Sequence, residues 1–210
     1  MKKLTKTIFA IIITLVPGAQ AWAGELMSLS DLQAAPDMVF SGRVTAGSLV
    51  MMHVESTLHD FDLRGTGIAG VVSGNPRRPT ETISSVVTLK ALSLDSNLGM
   101  RDSIMRKDVL EVDSYPEITF TLRGISNLEQ HASKKSVTFT ATGNLRLHGI
   151  NKNIDARVEA TLLNEKEVLA EGEFDINMTN WQIKPPTLLF QKVSPRLKIK
   201  FIIHIERVNR

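Results

Sequence analysis

Imidazole and carboxylate groups early in the chain are the side chains whose spacing could bind a metal. His53, Glu55 and His59 offer the nitrogen and oxygen ligands that zinc accepts. Ligands that bind one metal from a single strand need to be neighbours on the same face, two residues apart, whereas His53 and His59 are six residues apart with a turn expected between them. The spacing therefore disfavours a metal centre, and we predict no metal and no cofactor.

Nucleophilic catalysis has few residues to draw on. Cysteine is absent, which excludes thiol nucleophiles, disulfides and iron–sulfur clusters. The pair His59-Asp60 could orient a proton shuttle, but no Gly-x-Ser-x-Gly sequence accompanies it. His148 precedes Gly149 and is expected to be a turn residue whose imidazole bonds to backbone. We therefore predict no catalytic residues and a protein that is not an enzyme.

Basic side chains offer a third kind of chemistry, the binding of phosphate groups. Arg101, Arg106 and Lys107 lie together in a predicted helix and could contact the phosphate head group of a lipid. Acidic residues are interspersed among them, so a solvated helix face is the alternative interpretation.

The distribution of charge argues against a nucleic-acid partner. The net charge of +3 comes from 25 Lys and Arg residues against 22 Asp and Glu residues. Lys2, Lys3 and Lys6 account for the whole excess, because the other 22 basic residues equal the acidic residues in number. Binding to nucleic acid would need a basic excess in the folded domain.

The first 23 residues have the features of a secretion signal. Three lysines precede an apolar run at residues 8–16, and Ala21-Trp22-Ala23 supplies the small-x-small pattern of a cleavage site. The run is too short to cross a bilayer as a helix, which takes about 20 residues. We predict a signal peptide at 1–23 that is cleaved after about Ala23, a periplasmic protein with no stable membrane insertion, and a single domain at 24–210.

Hydrophobic and polar residues alternate along most of the remaining chain, which is typical of strands with one buried face. In residues 60–72 this pattern places Phe61, Leu63 and Val71 on one face, with glycines that indicate a bend. Eight or nine antiparallel strands in sequence must close into a barrel or form a sandwich, since exposed edges invite aggregation. The predicted strands are residues 48–56, 60–72, 81–92, 117–122, 136–145, 153–163, 167–177 and 196–207.

One segment departs from the alternation. Residues 98–112 are rich in helix formers, and Met100, Ile104 and Met105 fall at the apolar positions of a helix. Pro116 prevents its continuation. We therefore predict one crossover helix inserted into an otherwise all-β fold.

Two motifs make the chain resemble a known family. NLGMRD at residues 97–102 followed by YPEITF at 115–120, and GNLRLHGINK at 143–152, are similar to the helix-to-strand and hairpin signatures of YceI-like proteins. A weaker match is GEFDINMTNW at 172–181, where the glycine that usually follows in the family is replaced by Gln182. The resemblance covers nearly all of the chain after the predicted leader. It implies a lipocalin-like antiparallel barrel of about eight strands with one inserted crossover helix. Such proteins are often periplasmic, and the best-known members hold a polyisoprenoid chain inside.

Small residues at mid-height in three successive strands predict where a ligand would lie. Ala141, Ala156 and Ala170 leave room on the inner face, and an eight-stranded barrel is only just wide enough for a small ligand or its own side chains. Ile104 and Met105 of the crossover helix could fill this room instead, and both alternatives stay open.

We therefore predict a carrier or binding protein that holds an apolar lipid, such as an isoprenoid; a homodimer is compatible with this prediction. The alternative is an outer-membrane barrel, or a structural or partner-binding barrel without a lipid ligand. Missing aromatic girdles count against the outer-membrane version. The candidate head-group contacts are Arg101 and Arg106. The candidate ligand-binding residues are Met52, Val54, Phe61, Leu89, Ile104, Met105, Phe120, Phe139, Ala141, Ala156, Val158, Ala170, Phe174 and Phe201.

Overall fold

Strands make up most of the structure. The computed structural model of the protein describes residues 40–75, 78–131, 133, 135–188 and 191–208, so the predicted signal peptide lies outside the described residues. No helix within these ranges has both the length and the apolar character needed to cross a membrane. The strands are β1 (Phe40–Val44), β2 (Leu49–Ser56), β3 (Phe61–Gly65), β4 (Ile68–Gly74), β5 (Ser84–Lys90), β6 (Leu94–Asp95), β7 (Glu117–His131), β8 (Ser136–Leu147), β9 (Ile150–Leu162), β10 (Glu167–Asn177), β11 (Thr187–Leu188) and β12 (Gln191–Arg207).

The strands close into an antiparallel barrel of eight long strands, of which the first three are interrupted. β1 and β2 together form the first long strand, which pairs with β12. β3 and β4 form the second, with β3 paired to β2 and β4 paired to β1. β5 and β6 form the third, with β5 paired to β4 and β6 paired to β3. β7, β8, β9, β10 and β12 complete the barrel in chain order, with Ile199 of β12 opposite Met52 and Ile205 opposite Val44. The predicted fold class, an all-β lipocalin-like antiparallel barrel of about eight strands, is confirmed.

Alternation of the side chains puts one face of each strand inside the barrel. In β8, for example, Ala141 is buried and its neighbour Thr142 is exposed. One inward assignment is wrong, because Val71 is 59% exposed on the outer face. The break between β3 and β4 shifts the alternation by one residue. Leu63 therefore faces inward in β3, but Val72 rather than Val71 faces inward in β4.

The inserted crossover helix is present but changes type halfway. After a single helical turn α1 (Pro79–Thr82) between β4 and β5, helix α2 (Gly99–Ile104) leads from β6 towards β7. A π-helical turn, Met105–Val109, continues α2, and the Leu110 N–H donates to the Met105 carbonyl over 2.8 Å. The regular helix is thus shorter than the predicted segment.

The buried face of α2 differs from the predicted one. Asp102 and Met105, three residues apart, are 4% and 8% exposed and define the inner face. Met100 is two residues from Asp102, which places it on the opposite side of the helix, and it is 74% exposed. The assignment of Met100 to the apolar face is therefore wrong.

One end of the barrel is filled by side chains. Leu94, Trp181 and Val54 are 1%, 2% and 3% exposed there, and we call this the closed end. A 3-10 turn carries Trp181 inward, where its Nε1–H donates to the Leu145 carbonyl over 3.2 Å. Gln182 ends this turn with φ 59°, a backbone conformation that favours glycine.

Candidate functional site

An apolar cavity of about 220 Å³ occupies the middle of the barrel. Ser85 is the only described residue in its wall with a polar side chain, and the wall carries no charge. The cavity is larger than the ~150 Å³ at which an engineered apolar cavity in another protein binds benzene. It can therefore accept hydrocarbon while offering almost no partner to a polar group. The wall consists of Val50, Met52, Ile68, Val72, Ile83, Ser85, Val87, Leu89, Ile118, Phe120, Leu122, Phe139, Ala141, Leu145, Leu147, Ile154, Ala156, Val158, Ala170, Phe174, Ile176, Ile199, Phe201, Ile203 and Ile205.

Small residues on neighbouring strands leave this space open. Ala141 on β8 lies directly opposite Ala156 on β9, and the two are 5% and 4% exposed. Ala170 on β10 lies opposite Ala160, which is on the same strand as Ala156, in the neighbouring β9–β10 pair. Their methyl groups reach only a short way into the barrel, so the cavity lies beside the small residues that the sequence places at mid-height.

Two glycines beside these alanines accommodate aromatic rings. The ring of Phe120 lies over Gly143, where an added β-carbon would collide with it, and the ring of Phe201 covers Gly172 in the same way. The Phe201 ring also packs at a tilt against Phe174, with ring centroids 6.3 Å apart. The aromatic part of the wall is therefore held in place by close contacts with the backbone of adjacent strands.

Ten of the fourteen predicted ligand-binding residues line the cavity, and four do not. Val54 and Met105 pack in the cluster of buried residues at the closed end. Phe61 and Ile104 also lie outside the lining, and the guanidinium of Arg101 stacks 3.8 Å above the Phe61 ring. The ten in the wall are Met52, Leu89, Phe120, Phe139, Ala141, Ala156, Val158, Ala170, Phe174 and Phe201.

The wall also contains residues that were not selected as ligand contacts. Ile199 and Ile203 carry the same alternation signal as Phe201, so the sequence could have identified them. Val72 is missed because the break between β3 and β4 reverses the inward parity. Ser85 is missed because a polar side chain on a strand is normally assigned to the outer face.

The crossover helix does not enter the middle of the barrel. Met105 is buried together with Trp181 in the closed-end cluster. Neither Met105 nor Ile104 contributes to the cavity wall. The space at mid-height is therefore not filled by α2.

The two candidate head-group arginines are engaged in bonds within the protein. Arg101 donates from Nε to the Ser96 hydroxyl and from a terminal nitrogen to the Ser96 carbonyl, both over 2.8 Å. Arg106 donates to the Leu94 carbonyl over 2.8 Å. These bonds tie α2 to the chain around β6, and neither arginine belongs to the cavity wall.

Asp102 is a buried carboxylate in this same connection. It accepts hydrogen bonds from the backbone N–H of Ser96 over 2.9 Å and from the Ser96 hydroxyl. Burial alone would raise the pKa of Asp102, but the two hydrogen bonds from Ser96 and the nearby charge of Arg106 outweigh it and lower the pKa below its usual value. The RD pair of the NLGMRD motif therefore supports the structure around the closed end.

The histidines lie away from the cavity wall. His53 is exposed, with Nδ1 2.9 Å from an Asp62 carboxylate oxygen. His148 is in the β8–β9 turn at φ 50°, its ring 4.4 Å from that of Tyr115 and its Nε2 3.7 Å from a Glu111 carboxylate oxygen. In the part of the chain that the structure describes, no three His, Cys, Asp or Glu side chains come together as metal ligands.

Comparisons with known proteins agree with this architecture. The model of the YceI-like domain family matches residues 39–205. The fold is similar to a polyisoprenoid binding domain from Saccharophagus degradans implicated in plant cell wall breakdown, with 13% identity over 80% of this chain and 98% of that chain and a TM-score of 0.63. It is also similar to Burkholderia cenocepacia BcnA, with 18% identity over 75% and 95% of the two chains and a TM-score of 0.62. A Campylobacter jejuni YceI protein has 17% identity over 73% and 88% and a TM-score of 0.57.

These identities are low enough that the likeness to solved structures establishes the fold alone. No curated protein matches the chain at a significant level. The family model nevertheless covers every strand of the barrel, from residue 39, directly before β1, to residue 205, two residues before the end of β12. The chain belongs to the YceI-like family.

Proposed function

We propose that the protein is a carrier that holds an apolar lipid in the middle of its barrel. The observation that supports this most directly is the wall of the cavity, in which Ser85 supplies the only polar side chain among the described residues. Each methylene moved from water into such a wall stabilises the complex by about 0.8 kcal/mol. A chain of several carbons therefore gains affinity from burial alone.

A polyisoprenoid is the class of lipid that we favour. The chain shares its fold with a Saccharophagus degradans domain that is described as polyisoprenoid binding. The alternation of phenyl rings with the methyl-sized surfaces of Ala141, Ala156 and Ala170 gives an uneven wall, which suits the methyl branches of an isoprenoid chain.

We infer binding without catalysis. Proton transfer needs a side chain within hydrogen-bonding reach of the reacting group. His148 and Asp102 are outside the cavity wall, as is His53. Ser85 has no histidine beside it in the wall to accept its proton.

We also propose that the mature protein is a single domain at 24–210 in the periplasm. The basic head, the apolar run and Ala21-Trp22-Ala23 support this proposal. An intact mass that begins near Gly24 in the periplasmic fraction is expected. A full-length mass that begins at Met1 in that fraction would overturn the cleavage.

The outer surface of the barrel favours a water-exposed protein over the outer-membrane alternative. Glu171, Glu173 and Asp175 are exposed on β10, and Lys198 and Lys200 are exposed beside them on β12. Such charges on a lipid-facing wall are destabilising near the middle of a membrane. A homodimer stays a prediction.

Mass spectrometry of the protein purified from its native host tests lipid carriage. The expected result is about one lipid per chain, released by solvent extraction. The double variant Ala156→Trp and Ala170→Trp fills the cavity and is expected to lose the lipid while remaining folded by circular dichroism. An extract of the wild-type protein without stoichiometric lipid would contradict carriage.

A further inference from the structure

The end of the barrel opposite the closed end is lined by apolar side chains that are only half-buried, and we call it the mouth. Strand register places these side chains on the inner face. Val137 shares a cross-strand row with Ala170 of the cavity wall. Phe40 lies opposite Gly74, two residues beyond Val72 of the same wall. The inward residues at the mouth are Phe40, Ile83, Val137, Leu162, Val168 and Ile205.

The same inner face is well covered further into the barrel. There, the inward residues Leu145, Ile176 and Ile199 are 5%, 6% and 4% exposed. At the rim of the mouth, by contrast, Leu163 and Val208 are 48% and 42% exposed. The described residues therefore leave an apolar surface partly open to water at one end only, and surfaces of this kind mark places where another segment or molecule binds.

The chain enters the barrel at this end. Phe40, the first described residue, stands at the mouth, at the start of β1. With cleavage after Ala23, as proposed above, residues 24–39 precede it. The seven residues between Leu32 and Phe40 extend over at most about 25 Å. Eight strands spaced about 4.8 Å apart enclose a barrel roughly 15 Å wide, so residues 24–39 are long enough to lie across the mouth.

The composition of residues 24–39 suits an apolar docking surface. Apolar side chains recur at every third position, with serines, acids and Gln33 between them. Side chains three residues apart point the same way in a polyproline-type chain and approach each other on a helix. A segment with this spacing can therefore present one apolar side. The recurring positions are Leu26, Leu29, Leu32, Ala35 and Met38.

We propose that residues 24–39 dock in the mouth of their own chain, with their apolar side on the half-buried inner residues, and so cover the cavity. Docking removes apolar surface of both partners from water. The same chain is favoured over a second copy, because the covalent link to β1 holds the segment at the mouth at an effective concentration of about millimolar. The docking does not depend on which ligand the cavity holds.

Disulfide crosslinking tests the docking, since the chain has no cysteine of its own. Leu32→Cys with Val137→Cys joins the apolar side of the segment to β8, which is diametrically opposite β1 in the barrel. Leu32→Cys with Val71→Cys is the matched control, because Val71 is 59% exposed on the outer face of β4, next to β1. In the chain that begins at Gly24, disulfide formation is expected to be at least about tenfold faster for the pair at the mouth.

The control is chosen so that an undocked segment gives the opposite order. Val71 is more exposed than the half-buried Val137, and it lies only one strand away from β1. Equal rates for the two pairs, or a faster reaction at Val71, would overturn the proposal. A crosslinked product with the mass of two chains would assign the mouth to a second copy and overturn it as well.

Access to the mouth gives a second measurement that needs no cysteine. Leu29→Asp with Leu32→Asp places two carboxylates on the apolar side, where burial without partners is costly. Ser28→Asp with Ser30→Asp adds the same charge between the apolar positions. Uptake of anilinonaphthalene sulfonate by the delipidated protein, followed by stopped-flow fluorescence, is expected to be at least about threefold faster for the leucine variant, because its mouth is uncovered for a larger fraction of the time. Equal uptake by the two variants counts against docking.

The results separate this proposal from the proposed function. If the disulfide forms preferentially at the mouth while the extract of the wild-type protein contains no lipid, carriage fails and the docking stands. If the extract contains about one lipid per chain while the disulfide forms as fast at Val71, the docking fails and carriage stands.

Discussion

Ala156→Leu examines whether the middle of the barrel is open space. Ala156 is 4% exposed, faces Ala141 across the β8–β9 pair and lines the cavity. Leucine adds three carbon atoms that point into the cavity. At about 0.8 kcal/mol per buried methylene, filling open space would raise the free energy of unfolding of the lipid-free protein by up to about 2 kcal/mol. A well-packed core would instead lose about 1–3 kcal/mol through overpacking.

Urea denaturation of the delipidated protein distinguishes these outcomes by sign. An unchanged or higher free energy of unfolding is expected, together with weaker binding of a hydrocarbon probe. Ala69→Leu is the matched control, because Ala69 is exposed on the outer face of β4 and is outside the cavity wall. It should change stability by no more than about 0.5 kcal/mol and leave binding unaltered. A loss of more than 1 kcal/mol at Ala156, with binding intact, would refute the open cavity.

Three further changes follow from the structure. Phe120→Asp places a carboxylate in the apolar wall and should lower the free energy of unfolding by about 3–5 kcal/mol, whereas Thr121→Asp on the exposed face should change it by about 0.5 kcal/mol; equal losses in urea would contradict the inward assignment. Gly172→Ala brings a β-carbon against the Phe201 ring and should cost about 1–3 kcal/mol, whereas Gly124→Ala, with nothing within 4 Å, should be nearly neutral by thermal melting. Asp102 has a lowered pKa, so its ionised form stabilises the fold above the unfolded pKa of about 3.9, and this stabilisation is lost as pH falls through the folded pKa. Asp102→Asn should therefore be less stable than wild type at neutral pH and closer to it at about pH 2, in urea titrations at the two pH values.

Most of the barrel was predictable because each strand has one buried apolar face and one solvent-exposed polar face. The rule is strong wherever a strand is continuous, as in β8, β9 and β10. It fails at Val71, since the break between β3 and β4 reverses parity without any change in the polarity of the residues. A period-two pattern carries no signal for such a break beyond the glycines that accompany it.

The candidate site was predictable in its wall and less so at its closed end. Ala141 and Ala156 indicate open space in the barrel, because the small size of a side chain is evident from the residue type alone. The partners of Arg101 and Arg106 are a hydroxyl and backbone carbonyls of the segment around β6. Backbone carbonyls are present at every residue, so the sequence does not distinguish an arginine that binds them from one that awaits a head group.

The strand that closes the barrel is the last one to be synthesised. β12 pairs with β10 on one side and with β1 and β2 on the other, so that Arg207 lies opposite Gly42 and Val208 donates to the Ser41 carbonyl over 2.9 Å. Contacts between residues so far apart in sequence slow folding, because the intervening chain must first be organised. Until β12 arrives, one side of the cavity is missing and a hydrocarbon chain inside would remain in contact with water. Under the proposed function, a nascent chain that lacks this seventeen-residue strand has no complete cavity in which to retain a ligand.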